Sequence, residues 1–169
     1  MAVVSCIYWW CCCAVNHCSF GCPVCSSCRQ PNNCPLSRNC LAQNIIYQAT
    51  VECEGTRPTK TYIGLTTTTF KTRYSNHTAS FNHANKKTST ELSKYIWELK
   101  RSNIQYSIKW RLVRHAKPYN NITKRCNLCL WEKFFIIYHP TMATLNSRNE
   151  LVSVRRHSGK YLLRNFKPP

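Results

Sequence analysis

Asn44-Ile45-Ile46-Tyr47-Gln48-Ala49-Thr50-Val51, the turn residues Gly55 to Thr59, and Thr61-Tyr62-Ile63-Gly64-Leu65 form the stretch on which the fold turns. Both runs are rich in β-branched and aromatic residues, which fit a pleated, packed surface, so they read as a β-hairpin with a long loop. Downstream, the threonines at 66–69 supply a helix N-cap. Phe70, Arg73, Tyr74, His77 and Phe81 then recur at spacings of three and four, which predicts a helix. A second helix follows, capped by Thr90 or Ser89, lined by Leu92, Tyr95, Ile96 and Leu99, and closed by Asn103. Tyr106 to Val113 alternates with period two and predicts a third strand; Thr123 to Tyr138 predicts a last helix, stopped by Pro140. The order is β-β-α-α-β-α, which makes an α/β (α+β) domain: a small three-stranded antiparallel sheet flanked by helices.

At 169 residues, 43% of them hydrophobic, the chain is long enough for one domain core plus a tail. Its 24 Lys and Arg against six Glu and no Asp give a formal charge of +18. Such a surface displaces the counterions condensed on phosphates, so nucleic acid is the leading partner; the alternative is charge that serves solubility alone. Lys71, Lys86, Lys87, Lys94, Lys100 and Arg101 are the expected backbone contacts. One acid, Glu132, interrupts the apolar run Leu130-Trp131-Glu132-Lys133-Phe134-Phe135, where an unpaired carboxylate is costly and a metal ion would compensate it.

Ten of the thirteen cysteines lie in the first 40 residues, and after Cys53 none occurs until Cys126 and Cys129, so the body is not stapled throughout. That placement and the charge argue against a secreted, disulfide-rich protein, and the sequons at Asn76 and Asn121 read as coincidence. The apolar opening, Met1 to Val15, lacks a basic start and is too short for a bilayer, so neither a signal peptide nor a membrane contact is expected. Residues 1–33 read as an irregular Cys-rich tail containing Cys22-x2-Cys25-x2-Cys28, a metal-knuckle spacing. Residues 34–140 form the domain, and 141–169 a basic extension that docks as a short helix or orders on nucleic acid.

The order of elements, with Tyr62-Ile63-Gly64, Phe70 to His77, Ser89 to Trp97 and Lys124-Arg125-Cys126-Asn127-Leu128-Cys129, resembles the GIY-YIG nucleases, and among them the endonuclease domains of Penelope-like retroelements. The likeness runs from about Asn44 to Tyr138. Where the family has Gly-Ile-Tyr this chain has Ile45-Ile46-Tyr47, keeping the tyrosine and losing the glycine.

The resemblance implies a DNA endonuclease that hydrolyses phosphodiesters. Glu132 would hold one magnesium or manganese ion, since a carboxylate is a hard ligand. Arg73 would grip the scissile phosphate with a permanently charged fork. Tyr47, aided by Tyr62, would position or deprotonate the attacking water, and His77, four residues after Arg73, would orient that water or shuttle a proton. Cys34 and Cys40 before the first strand, with Cys126 and Cys129 at the last helix, are the expected ligands of one structural zinc, the alternative being buried thiols. A retroelement origin implies nuclear action beside a reverse transcriptase domain that this chain has no room for. The alternative is a non-catalytic, zinc-stabilised nucleic-acid-binding module.

Overall fold

The computed structural model describes Cys28 and residues 34–120, 122–123 and 126–146; nearly all of the expected tail at 1–33, the knuckle cysteines Cys22 and Cys25, and the basic extension from 147 onward lie outside the described residues. The elements follow the expected order: β1 (Ile45–Cys53), β2 (Lys60–Thr66), α1 (Phe70–Asn82), α2 (Glu91–Arg101), β3 (Tyr106–His115) and α3 (Asn127–Tyr138), with 3-10 turns at Ala84–Lys86 and Pro140–Met142. The three strands form an antiparallel sheet in the order β2-β1-β3. Among the described residues no helix is long and apolar enough to cross a membrane.

The strand sequences explain their places. β1 is buried almost continuously, Ile45 to Ala49 without a break, because it is the central strand with helices on both faces. β3 alternates half-buried and exposed positions, as an edge strand with one covered face should. On one face Tyr47, Ala49, Val51 and Tyr62 pack with Leu36, Phe70 and Phe81 of the α1 side and Leu92, Ile96 and Leu99 of α2. On the other, Ile46, Ile63 and Leu65 pack with Leu128 and Ile136 of α3 and with Ala143. Arg114 of β3 lies 3.6 Å over the Trp131 ring, which fastens α3 to the sheet.

The helix starts bear out their sequence signals. Thr69 Oγ1 accepts from Thr72 N at 3.3 Å, and Thr90 Oγ1 accepts from Ser93 N at 3.0 Å. α3 starts four residues later than its sequence pattern, at Asn127, where the Cys126 thiol serves as the cap. α1 and α2 are joined by hydroxyls: Ser80 Oγ and Ser93 Oγ lie 2.6 Å apart, and Trp97 Nε1 donates to Ser80 O at 2.8 Å. The segment after α3 docks as an added edge on β2, with Leu145 N donating to Thr61 O at 2.9 Å.

Candidate active site

Tyr47 is the centre of the site. It stands opposite Gly64 across the β1–β2 ladder, and its ring lies over that glycine so closely that a Cβ there would come within 2.5 Å of Tyr47 Cζ. Gly64 does not need a left-handed backbone; it is required by this close approach. A register shift between Ile46 and Tyr47 leaves Val113 of β3 without a partner, a bulge of the kind that re-aims a neighbouring side chain.

Around the Tyr47 phenol the structure gathers three of the other residues expected from sequence. His77 Nε2 lies 2.8 Å from Tyr47 Oη, and Arg73 Nε donates to the same oxygen at 2.9 Å. Arg73 also bonds Tyr62, so its guanidinium is held between the two strand tyrosines. The i,i+4 spacing of Arg73 and His77 puts both on the sheet-facing side of α1. His77 is wedged among Tyr47, Tyr62, Phe81 and Trp110, with ring centroids 5.3 to 6.1 Å away.

Electrostatics assign the protonation states. Burial, and then the neighbouring Arg73 charge, push the His77 imidazole down to about 3, so it is neutral at working pH. Burial works against the Arg73 cation, but the oxygens of Tyr47 and Tyr62 outweigh it and hold the guanidinium above its ordinary value. Arg73 can only donate, so Tyr47 Oη accepts from it; with the His77 hydrogen on Nδ1, the phenol hydrogen goes to Nε2. Arg73 and His77 together hold the phenol in place, and the Arg73 guanidinium stabilises negative charge on its oxygen.

Beside this line lies a cavity of about 230 Å³, lined by Arg73, Asn76, His77 and Ser80 of α1, by Lys86, and by Ser89 and Thr90 at the start of α2. It is smaller than a drug-sized ligand site and is rimmed by two cations, which suits a group the size of a phosphate.

Glu132 is carried by α3. It occupies the middle of α3, four residues from both Leu128 and Ile136, the two that bury against the sheet. α3 packs on the sheet face opposite the Tyr47 ring, and Glu132 itself is half-buried.

The thiols are also distributed differently from the expected set of Cys34, Cys40, Cys126 and Cys129. Among the described residues, Cys28, Cys34 and Cys40 form a group whose sulfurs lie within 4.8 Å of one another and could hold a metal ion. Cys126 and Cys129 make a separate pair, 3.4 Å apart, at the head of α3. Leu36, between the first group's cysteines, packs into the core on the α1 side, while Cys126 and Cys129 pack on the α3 side, so the sheet keeps the sets apart. Burial pushes the Cys40 thiol up to about 12, and the sulfurs of Cys28 and Cys34 add to that. Burial also raises Cys34, but the Leu36 amide, the Cys28 thiol and the Cys40 amide outweigh it and leave that thiol lowered.

The basic residues divide by environment. Lys100 Nζ donates to Phe81 O at 2.6 Å and caps the end of α1, and Lys94 pairs with Glu91 at 2.6 Å, so both have structural partners. Lys71, Lys87 and Arg101 are exposed, and Lys86 reaches the cavity. Two polar groups had no signal in the sequence pattern. Asn146 forms two 2.8 Å bonds with the Ile63 backbone, Oδ1 accepting from N and Nδ2 donating to O, which completes the β2 edge next to Tyr62. Gln48, buried under α3, accepts from Arg111 Nη2 at 2.8 Å and donates to Met142 O at 3.0 Å. Neither would be found by periodicity, because both answer to partners far along the chain. No family model, curated protein or solved structure matches this chain.

Proposed function

We propose that the chain is a GIY-YIG-like DNA endonuclease of retroelement type that hydrolyses phosphodiesters, and that Arg73 is its phosphate-binding residue. The observation that carries this reading is the Arg73 guanidinium held by Tyr47 and Tyr62 at the rim of a phosphate-sized, cation-lined cavity. Two of its five N–H groups are used by the tyrosines, and the others remain to engage phosphate oxygens. Tyr47, its oxygen stabilised by Arg73 and its hydrogen directed to neutral His77, orients the attacking water. With a pKa of about 3, His77 positions Tyr47 and does not carry protons in bulk exchange.

A divalent ion on Glu132, magnesium or manganese, would supply Lewis-acid stabilisation of the developing charge. One carboxylate suits an ion that keeps most of its waters and is completed by substrate phosphate. A structural zinc belongs to the thiolates of Cys34, Cys40 and their neighbour Cys28. In the parent element the cut would prime a reverse transcriptase in the nucleus. A second reading, a zinc-stabilised nucleic-acid-binding module without catalysis, draws on the Cys28, Cys34 and Cys40 group together with the basic surface.

Nicking of supercoiled plasmid in magnesium or manganese separates the two. The nuclease reading expects wild type to nick, and Arg73→Ala and Glu132→Ala each to lose about 100-fold or more, the usual effect of removing a charge-stabilising group. Plasmid retained without nicking supports the binding module. Undiminished nicking by Glu132→Ala overturns its assignment to the ion.

A further inference from the structure

The turn that precedes β1 is built more tightly than a connecting loop requires. Ser37 and Arg38, neither of them glycine, both take left-handed backbone, with φ of 45° and 71°. Such conformations persist where the surroundings over-determine them. Leu36 anchors one side in the core, and the Leu36 and Cys40 amides both donate to the Cys34 sulfur. Amides aimed at a cysteine sulfur stabilise a thiolate, which is the form that ligates metal. Cys40 Sγ lies 3.3 Å from Cys28 Sγ, and all three sulfurs fall within 4.8 Å of one another. Tetrahedral zinc with Zn–S bonds of about 2.3 Å needs sulfurs about 3.8 Å apart, inside this range. A disulfide needs about 2.05 Å and would satisfy only two of the three.

The same turn is bonded to α1. Lys71 N donates to Cys40 O at 2.6 Å and Phe70 N to Ala42 O at 2.9 Å. These are two of the amides that a helix start leaves without partners. Arg73 is three residues from Phe70, within the same first turn.

We propose that the thiolates of Cys28, Cys34 and Cys40 bind one zinc ion, which clamps the turn before β1 onto the first turn of α1 and thereby sets the position of Arg73. Three thiolates leave one tetrahedral position for a water or a fourth ligand. Zinc compensates the cost of the left-handed turn, and its removal frees Cys40 and Ala42 to withdraw their carbonyls from α1. The consequence for cleavage rests on the nuclease reading; the metal site and its grip on α1 do not.

The test uses the full chain purified without chelator, with zinc measured by elemental analysis and amide exchange read by mass spectrometry. One zinc per chain is expected, lost in Cys34→Ser and in Cys28→Ser, the latter chosen because Cys28 is only half-buried and its replacement spares the core. Cys126→Ser with Cys129→Ser should keep the zinc. Chelation of wild type should speed exchange at Phe70 and Lys71 while leaving Ile96 and Leu99 of α2 protected, which excludes global unfolding. Zinc that survives Cys28→Ser and Cys34→Ser but leaves with Cys126 and Cys129 overturns the site, as does a disulfide among the three in freshly isolated protein. Unchanged exchange at Phe70 and Lys71 on zinc removal overturns the clamp. Neither measurement depends on whether the protein cuts DNA.

Discussion

Replacing Gly64 with alanine probes how the sheet holds the Tyr47 phenol. An added Cβ would lie 2.5 Å from Tyr47 Cζ and 2.9 Å from Cε2. Ordinary carbon contacts are about 3.5 to 4.0 Å, so the ring must move by about 1 Å. It has nowhere easy to go: Tyr47 is 0% exposed, with Phe70, His77 and Trp110 at centroid distances of 5.2, 5.8 and 5.9 Å. Overpacking of this kind costs about 1–3 kcal/mol. Moving Oη also breaks its bonds to His77 and Arg73 in a buried place, adding about 1–3 kcal/mol. The sum, roughly 2–6 kcal/mol, is a large share of the 5–15 kcal/mol typical of a domain. Urea unfolding of wild type, Gly64→Ala, Tyr47→Ala and the double variant completes the cycle. Once the ring is gone, alanine at 64 should cost nothing or stabilise slightly, because glycine is a poor strand residue. A coupling of at least about 2 kcal/mol is expected. An equal cost in both backgrounds would refute the argument, because the glycine would then answer to something other than the phenol.

Stability should fall as pH drops. His77 is depressed from 6.5 to about 3 in the folded chain, so its contribution is fully present above about pH 6.5 and is lost as pH falls toward 3. The unfolded state takes up the proton first, and the shift corresponds to about 5 kcal/mol across that window. His115, also lowered by burial, adds in the same direction, so the decisive comparison is His77→Gln, whose urea midpoint should be flatter between pH 4 and 7 than that of wild type. Asn146→Ala removes both bonds to the Ile63 backbone and should cost about 1–3 kcal/mol. Faster amide exchange at Ile63 is the accompanying sign, and unaltered exchange there would count against the clip.

Much of the fold could be read before any coordinates. β-branched and aromatic residues mark β1 and β2 as strands and period-two alternation marks β3, because side chains alternate across a sheet, but that β1 is the central strand and β3 an edge appears only in their pairing. Thr69 and Thr90 mark helix starts because a hydroxyl meets an otherwise unbonded amide in each first turn. The four-residue spacing of Arg73 and His77 places them together for the same local reason. The late start of α3 was not legible, since threonine is a preferred cap and cysteine is not, and only the folded structure sets the Cys126 thiol on the Cys129 amide.

What the sequence by itself determined is therefore the set of elements, their order, and the shared helix face of Arg73 and His77, all of which follow from local periodicity; that Tyr47 and Tyr62 join them was implied by the family resemblance. Only the tertiary structure decided which face each helix covers. Because α1 and α2 took one face and α3 the other, Cys34 and Cys40 were grouped with Cys28, while Cys126 and Cys129 packed on the α3 side. Spacing along a chain encodes the direction of a side chain relative to its own element. The face on which that element docks depends on apolar surfaces that meet only when the whole chain has folded.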